Sequence, residues 1–194
     1  MPLQYNAANL KEAINKNGIV KVRAILQRAN AKNENGRIYP KDILMRESQK
    51  YLENFVNKRS ALGELDHPES RTVVNLANVS HNITEMHWEG DDLVGTLEVL
   101  STPSGNIIKE LIRNGIRLGI SSRGVGSVKP SAMEENTVEV EEDFNLICFD
   151  VVSNPSTQGA YLSEGVKQSL SDNRIARIDA LVGDFISALG VKGK

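Results

Sequence analysis

The order of strand-like and helix-like segments is the feature that most constrains the fold of this chain. Segments with an extended or alternating pattern lie at 19–26, 79–88, 93–100, 118–128, 137–141 and 144–152. Apolar residues at helical spacing follow Pro40, Ser104 and Ser171 or Asp172. Because strands and helices do not alternate regularly, the pattern predicts a mostly antiparallel α+β domain or partly closed barrel, and not a doubly wound parallel sheet.

The length and composition are those of one globular domain with short appendages. The chain has 194 residues, of which 40% are hydrophobic and 25% charged, so we expect a folded protein without long disordered segments. No apolar run approaches the roughly 18 to 20 residues of a membrane helix, and the first residues lack a signal-peptide pattern. We therefore expect an intracellular soluble protein that does not interact with membranes.

Charge and cysteine content exclude several kinds of chemistry. The formal net charge is −2, so the chain lacks the basic surplus typical of nucleic-acid binding. A single cysteine, Cys148, excludes an internal disulfide and a cysteine-rich zinc site. We expect neither a metal nor a cofactor.

Three histidines are candidates for acid–base chemistry or metal binding. His81 and His87 lie six residues apart in a predicted strand and are expected on one face. They could bind a metal, but no third ligand has a suitable spacing, so ordinary strand positions are the favoured interpretation. His67 lies in a predicted loop at 62–68, a type of segment that often carries functional residues.

Two further segments could supply reactive groups. The glycine-rich run at 119–126 predicts a bulged strand or a backbone that approaches a neighbour closely; a phosphate loop is the alternative, but Arg123 stands where that motif needs Lys. Asp150 lies within an apolar strand, where a carboxylate needs a partner such as an imidazole. A histidine, a serine and an aspartate are the set that serine hydrolysis needs, although their spacing does not establish that they meet.

Four motifs in a fixed order resemble those of the prohead core proteases of T-even-type tailed phages. They are Asn35-Gly-Arg-Ile-Tyr-Pro40, Ala61-Leu-Gly-Glu-Leu-Asp-His-Pro68, Gly119-Ile-Ser-Ser-Arg-Gly-Val-Gly-Ser127 and Phe149-Asp-Val-Val-Ser-Asn-Pro-Ser156. The resemblance spans residues 19 to 160. It implies a mainly antiparallel, barrel-like core surrounded by helices, as in the related herpesvirus assembly proteases.

The resemblance also implies roles for particular residues. His67 matches the general base, Ser121 the nucleophile and Asp150 the third member of the triad, with Ser122 as the alternative nucleophile. Adjacent strand residues point to opposite faces, so only one of the two serines can meet His67. Arg123 and Gly124 are expected to contribute oxyanion contacts, the alternative being that Arg123 supports the loop or a neighbouring subunit.

Proteases of this family are made as zymogens that cleave after Glu, which implies self-cleavage after Glu12 and Glu164. The expected organisation is an N-terminal arm or propeptide at 1–12, a protease domain at 13–164 and a removable amphipathic helical tail at 165–194. The implied substrates are scaffold, core and major capsid proteins, and the expected setting is the prohead interior in the host bacterial cytoplasm, with the protease as a homo-oligomer. The alternatives are a non-catalytic phage structural protein, similar to a tail-tube or scaffold protein, and a phosphate-binding module.

Overall fold

Most of the domain predicted from the sequence is described by a computed structural model, which covers residues 19–68, 71–132 and 134–164. Glu12, the N-terminal arm and the predicted C-terminal helix lie outside the described residues. None of the helices in the described ranges is long and apolar enough to cross a membrane.

Strands dominate the described part of the chain. The strands are β1 (Val20–Arg28), β2 (Arg37–Ile38), β3 (Leu62–Glu64), β4 (Val79–Glu89), β5 (Asp92–Val99), β6 (Gly119–Val125), β7 (Val128–Pro130), β8 (Val138–Val140), β9 (Asn145–Val152) and β10 (Ser163–Glu164). The helices are α1 (Lys41–Tyr51) and α2 (Pro103–Arg113), with a π-helical turn at Leu52–Val56 and a 3-10 turn at Leu76–Asn78. The protein is therefore a mixed α/β domain with few helices.

The strands form three sheets. The largest has the order β10-β1-β5-β4-β3, the second the order β2-β8-β7, and the third pairs β6 with β9. Every pairing between named strands is antiparallel except that of β2 with β8. Isolated bridges at Leu65–Val151 and Gly119–Tyr161 connect the β6–β9 pair to its neighbours. The mostly antiparallel core is confirmed, but its strands form separate sheets and not one closed barrel.

Local sequence signals explain the two helices and the central hairpin. In α2, the Thr102 hydroxyl accepts a hydrogen bond from the Gly105 amide, and Gly115 follows the helix with a φ of +74°. In α1, Pro40 precedes the first turn and the apolar face is buried. Gly90, with a φ of +64°, lies between β4 and β5, so the hairpin predicted there is confirmed.

The prediction of a loop at 62–68 is wrong in its first half. Leu62–Glu64 pairs with β4 as β3, and Leu65 continues as a bridge to Val151. Gly63 permits this, because a Cβ atom there would lie 2.0 Å from the Phe149 carbonyl oxygen and 2.4 Å from the His81 ring. Close packing between strands that are distant in sequence therefore outweighs the turn residues of the segment.

The main apolar core lies between the five-stranded sheet, α2 and the inner face of the β6–β9 pair. Ile120, Phe149 and Val151 are buried in it together with residues of β1, β4, β5 and α2. The Tyr51 ring packs edge-on against Phe149, with the ring centroids 5.5 Å apart. One face of the β6–β9 pair is thereby fixed to the core, and the residues between these apolar positions point to its other face.

Candidate active site

His67 is held beside β9 by the backbone that precedes it. The Asp66 amide donates to the Val151 carbonyl at 2.7 Å, next to the bridge between Leu65 and Val151. Asp66 has a φ of +69°, a left-handed conformation that Asp tolerates better than most residues, and it turns the chain at this point. The imidazole remains about one third exposed, and its Nδ1 lies 2.7 Å from Asp150 Oδ2.

Asp150 is completely buried but is surrounded by donors. Its Oδ1 accepts hydrogen bonds from the Glu64 amide at 2.9 Å and from Arg123 Nη2 at 3.1 Å, and its Oδ2 lies 2.9 Å from Arg123 Nε. Burial alone would raise the pKa of Asp150, but the His67 hydrogen bond, the Glu64 amide and the charge of Arg123 together lower that pKa below its usual value. The side chain is therefore a carboxylate.

The ionised state of Asp150 determines the tautomer of His67. A carboxylate can only accept hydrogen bonds, so Nδ1 of His67 carries the proton in the contact with Asp150. In a neutral imidazole the other nitrogen, Nε2, then has a free lone pair. This is the arrangement of a general base whose orientation is set by an acid.

The two serines of β6 have different surroundings. Ser121 lies directly opposite Asp150 in the antiparallel register, so their side chains share a face, whereas Ser122 lies opposite Phe149. Ser122 Oγ accepts a hydrogen bond from Gln27 Nε2 at 2.8 Å. Ser121 Oγ makes no hydrogen bond to another described residue, and such contacts often tighten only when substrate binds.

A pocket of about 330 Å³ brings the candidate residues together. It is lined by Glu34, Asn35, Arg37, Tyr39, His67, Pro68, Ser121, Ser122, Arg123, Gly124, Asn154, Pro155 and Ser156. All four motifs singled out in the sequence therefore contribute residues to one pocket. Asp150 lies behind it, in contact with His67.

The glycine-rich segment is strand β6, which lies opposite a bulge at Ile147 of β9, so the alternative of a phosphate loop is wrong. The β6–β9 register shifts between Arg123 and Gly124. A Cβ atom at Gly124 would lie 2.4 Å from the Phe144 ring, which explains the glycine by close packing. The Arg123 guanidinium is buried against Asp150 and Glu64, so it does not take the place of the phosphate-binding lysine of such a loop.

Cys148 lies next to this site without the properties of a nucleophile. It is completely buried, and Arg123 Nε lies 3.2 Å from its sulfur. Burial and the nearby negative charge of Asp150 raise the pKa of the Cys148 thiol well above its usual value. The thiol therefore stays protonated at neutral pH.

The other two histidines do not form a site. A register shift between Ile83 and Glu85 adds one residue to β4, so the prediction that His81 and His87 share a face is wrong. His81 is buried between the Ser80 hydroxyl and the Phe149 carbonyl, whereas His87 is exposed beside Glu89. In the described ranges, no group of three or more His, Cys, Asp or Glu side chains could hold a metal ion.

Two residues near the pocket were not singled out from the sequence. Glu64, within the His67 motif, is a fully buried carboxylate that binds Arg123. Arg37, within the motif at 35–40, lines the pocket with an exposed side chain. The only available signal was their position inside the recognised motifs, because neither contact follows from spacing along the chain.

A pocket lined by a serine hydroxyl and an imidazole that is bound to a carboxylate is typical of hydrolases that use nucleophilic catalysis. Comparisons with known proteins agree with this class. Residues 4–170 match the family described as prohead core protein serine protease. The chain is 32% identical over 171 residues to the prohead core protein protease of Enterobacteria phage T4, covering 87% of this chain and 78% of that protein.

A solved structure gives the same result. The bacteriophage T4 capsid assembly protease gp21 matches with a TM-score of 0.66 and 33% identity, over 70% of this chain and 82% of that one. The chain belongs to the prohead core protein serine protease family. Family membership makes it a peptidase of phage prohead assembly and favours that function over a non-catalytic structural protein.

Proposed function

We propose that the chain is a serine endopeptidase in which His67 is the general base, Ser121 the nucleophile and Asp150 the residue that orients the base. The observation that carries the proposal is the 2.7 Å contact between His67 Nδ1 and Asp150 Oδ2, behind a pocket lined by both His67 and Ser121. The register that places Ser121 opposite Asp150 supports Ser121 over Ser122.

The reaction follows from this arrangement. Nε2 of His67 takes the proton of Ser121 while the oxygen attacks the peptide carbonyl, and Asp150 stabilises the imidazolium that forms. The Arg123 and Gly124 amides are the proposed donors to the oxyanion, beside the point where one extra residue of β9 interrupts the β6–β9 ladder. The imidazolium then protonates the leaving amine, and water hydrolyses the acyl-enzyme.

Cleavage after Glu is part of the proposal, and Arg37 supports it. The Arg37 guanidinium lines the pocket that contains Ser121 and has no ion-pair or hydrogen-bond partner among the described residues. An arginine in this position can bind a substrate carboxylate through two parallel hydrogen bonds. Arg37 is therefore the proposed determinant for an acidic side chain before the scissile bond.

Self-processing after Glu12 and Glu164 is also proposed. Glu164 ends β10, whose backbone pairs with Val22 of β1. A cut after Glu164 would leave this strand pairing in place and remove residues 165–194, while a cut after Glu12 would leave a mature domain at 13–164. The retained β10 strand is the structural support for a boundary at this position.

The names of the relatives support phage core and capsid proteins as substrates and the prohead interior, in the host cytoplasm, as the place of action. We also propose that the protein forms a homo-oligomer and binds neither nucleic acid nor membrane. A barrel-like core is supported by the bridges at Leu65–Val151 and Gly119–Tyr161, which connect the β6–β9 pair to its neighbours. The relation to herpesvirus assembly proteases is proposed from the resemblance of the motifs alone.

The test is cleavage of a fluorogenic peptide with Glu before the scissile bond by the full chain and two serine variants. Ser121→Ala should lower kcat by at least about 10³-fold, because the residual rate comes only from binding and the oxyanion contacts. Ser122→Ala is the matched control and should stay within about threefold of wild type, since only a hydrogen bond to Gln27 is lost. Activity retained in Ser121→Ala and lost in Ser122→Ala would overturn the assignment.

A further inference from the structure

Glu64 is a buried carboxylate that the proposed reaction does not use directly. Its side chain is completely inaccessible to solvent and lies outside the lining of the pocket. Oε1 accepts hydrogen bonds from Arg123 Nη2 at 2.8 Å and from the Asn75 amide at 3.0 Å, and Oε2 accepts from Arg71 Nη2 at 3.1 Å. Both carboxylate oxygens of Glu64 are thus bound by donors of the protein itself.

Arg123 connects Glu64 to the site. Its Nη2 donates to both Glu64 Oε1 and Asp150 Oδ1, and its Nε lies 2.9 Å from Asp150 Oδ2. Its remaining nitrogen, Nη1, donates to the Arg71 carbonyl at 3.2 Å. The guanidinium is only 8% exposed, so its charge is balanced mainly by these two carboxylates and not by water.

We propose that Glu64 is a positioning residue of the active site, which holds Arg123 and shares its positive charge so that Asp150 can stabilise the imidazolium of His67. This inference rests on the proposed function. Glu64 contributes twice, because its backbone amide also donates to Asp150 Oδ1 at 2.9 Å. The carboxylate and the amide of one residue therefore act on the same aspartate.

Glu64 matters because Arg123 and the His67 imidazolium both interact with the negative charge of Asp150. With Glu64 present, two carboxylates face Arg123 and Arg71, and the charges of these four groups balance. Without the Glu64 charge, Arg123 would interact with Asp150 alone and would oppose a second positive charge on the adjacent imidazole. The imidazolium would become less stable, so the general base would become weaker.

The charged and titratable groups around His67 and Asp150 come from several elements. They are Glu64 of β3, Asp66 and His67 after β3, Arg71 of the following loop, His81 of β4, Arg123 of β6, Cys148 of β9 and Tyr51 of α1. Burial raises the pKa of Tyr51 and, with Asp150, that of Cys148, so neither carries charge near neutral pH. Burial also lowers the pKa of His81 to about 4. The charge next to His67 is therefore controlled by the carboxylates and the two arginines.

The experiment compares the pH dependence of kcat for the wild type and Glu64→Gln, using the full chain and the same peptide. Glu64→Gln removes one negative charge at nearly constant shape. We expect kcat to fall about 10- to 100-fold, as for other residues that orient a reacting group, with KM within about twofold. The midpoint of the acidic limb should move to lower pH by at least about 0.5 unit, because a lost negative charge destabilises the imidazolium.

Arg71→Gln is the matched variant, which removes a positive charge where Glu64→Gln removes a negative one. Its side chain is 41% exposed, so its loss does not empty a buried position. Removing this positive charge should move the midpoint upward by a few tenths of a unit at low ionic strength, and this shift should shrink in salt. If Glu64→Gln does not fold, Arg71→Gln decides alone: an upward shift supports the proposal, and an unchanged midpoint overturns it.

The outcomes separate the role of Glu64 from the proposed function. A folded Glu64→Gln protein with the wild-type kcat and midpoint overturns the positioning role. A lower kcat with the wild-type midpoint also overturns it, because that result indicates a purely structural effect. The double variant Glu64→Gln/Arg123→Gln restores the charge balance and should return the midpoint toward wild type. The proposed function itself is tested separately, by the activity of Ser121→Ala beside Ser122→Ala.

Discussion

Ser121 and Asp150 are direct cross-strand partners in the β6–β9 ladder. Residues in such a pair have Cβ atoms about 4.5 to 5.5 Å apart and point to the same face. The candidate nucleophile and acid therefore belong to one two-stranded ribbon, while His67 reaches Asp150 from the segment after β3. Their relative position depends on register, which the buried residues Ile120, Phe149 and Val151 on the other face hold in place.

Replacing Asp150 with Asn should reduce kcat by about 10⁴-fold, because the amide presents a donor as well as an acceptor and no longer fixes the tautomer of His67. The measurement is steady-state peptide cleavage, with folding checked by circular dichroism. Cys148→Ala is the control in the same buried cluster and should remain active, since the thiol is protonated. Loss of activity in Cys148→Ala with normal folding would contradict the roles given to these residues.

Replacing Arg37 with Gln should weaken cleavage of a peptide with Glu before the scissile bond. A lost hydrogen-bonded ion pair is worth about 1.5 to 3 kcal/mol, or about 10- to 100-fold in kcat/KM. The kcat/KM for cleavage of the same peptide with Gln in place of Glu should change little in this variant. Arg113→Gln, at an exposed position on α2, is the control. An equal loss for both peptides would show that Arg37 does not read the acidic side chain.

Intact-mass measurement tests self-processing. Under activating conditions the wild type should yield a product that begins at Ala13 and ends at Glu164, whereas Ser121→Ala should remain full length. Glu12→Gln and Glu164→Gln should each block one cut and leave the other. A wild-type chain that cleaves the peptide substrate yet keeps its full mass would contradict self-processing without affecting the peptidase assignment.

Acid should destabilise the protein partly through His81. Burial lowers the pKa of His81 from 6.5 to about 4, so the unfolded chain binds a proton that the folded protein rejects. The free energy of unfolding should therefore fall as the pH drops from about 6.5 to 4, by up to about 3 kcal/mol from this group.

Urea unfolding at several pH values measures this effect. His81→Gln should lose that part of the pH dependence in this range, whereas His87→Gln, which changes an exposed side chain, should retain it. The same slope in wild type and His81→Gln would contradict the assignment.

Elements with local signals could be predicted from the sequence, and those built from distant contacts could not. The β4–β5 hairpin and α2 follow from alternation, capping and a glycine at each turn. β3 was missed because its pairing depends on close packing at Gly63, which leaves no periodic pattern in a three-residue strand.

The candidate site shows the same division. His67, Ser121 and Asp150 were found through motifs, and their residue types agree with the chemistry of a hydrolase. The link from Glu64 to Arg123 spans 59 residues, and no pattern in one sequence encodes it. The preference for Ser121 over Ser122 comes from the resemblance, and the register of β6 against β9 and the contact from Gln27 support it.

The absence of a side chain at Gly63 limits how the site can evolve. Any larger residue would have to displace either the Phe149 carbonyl or the His81 ring. β3 would then move away from β9, and the Glu64 amide would lose its contact with Asp150. A substitution at Gly63 would thus inactivate the protease by widening the gap between two strands, although every reactive group is unchanged. Selection on catalysis therefore extends to a residue with no functional group.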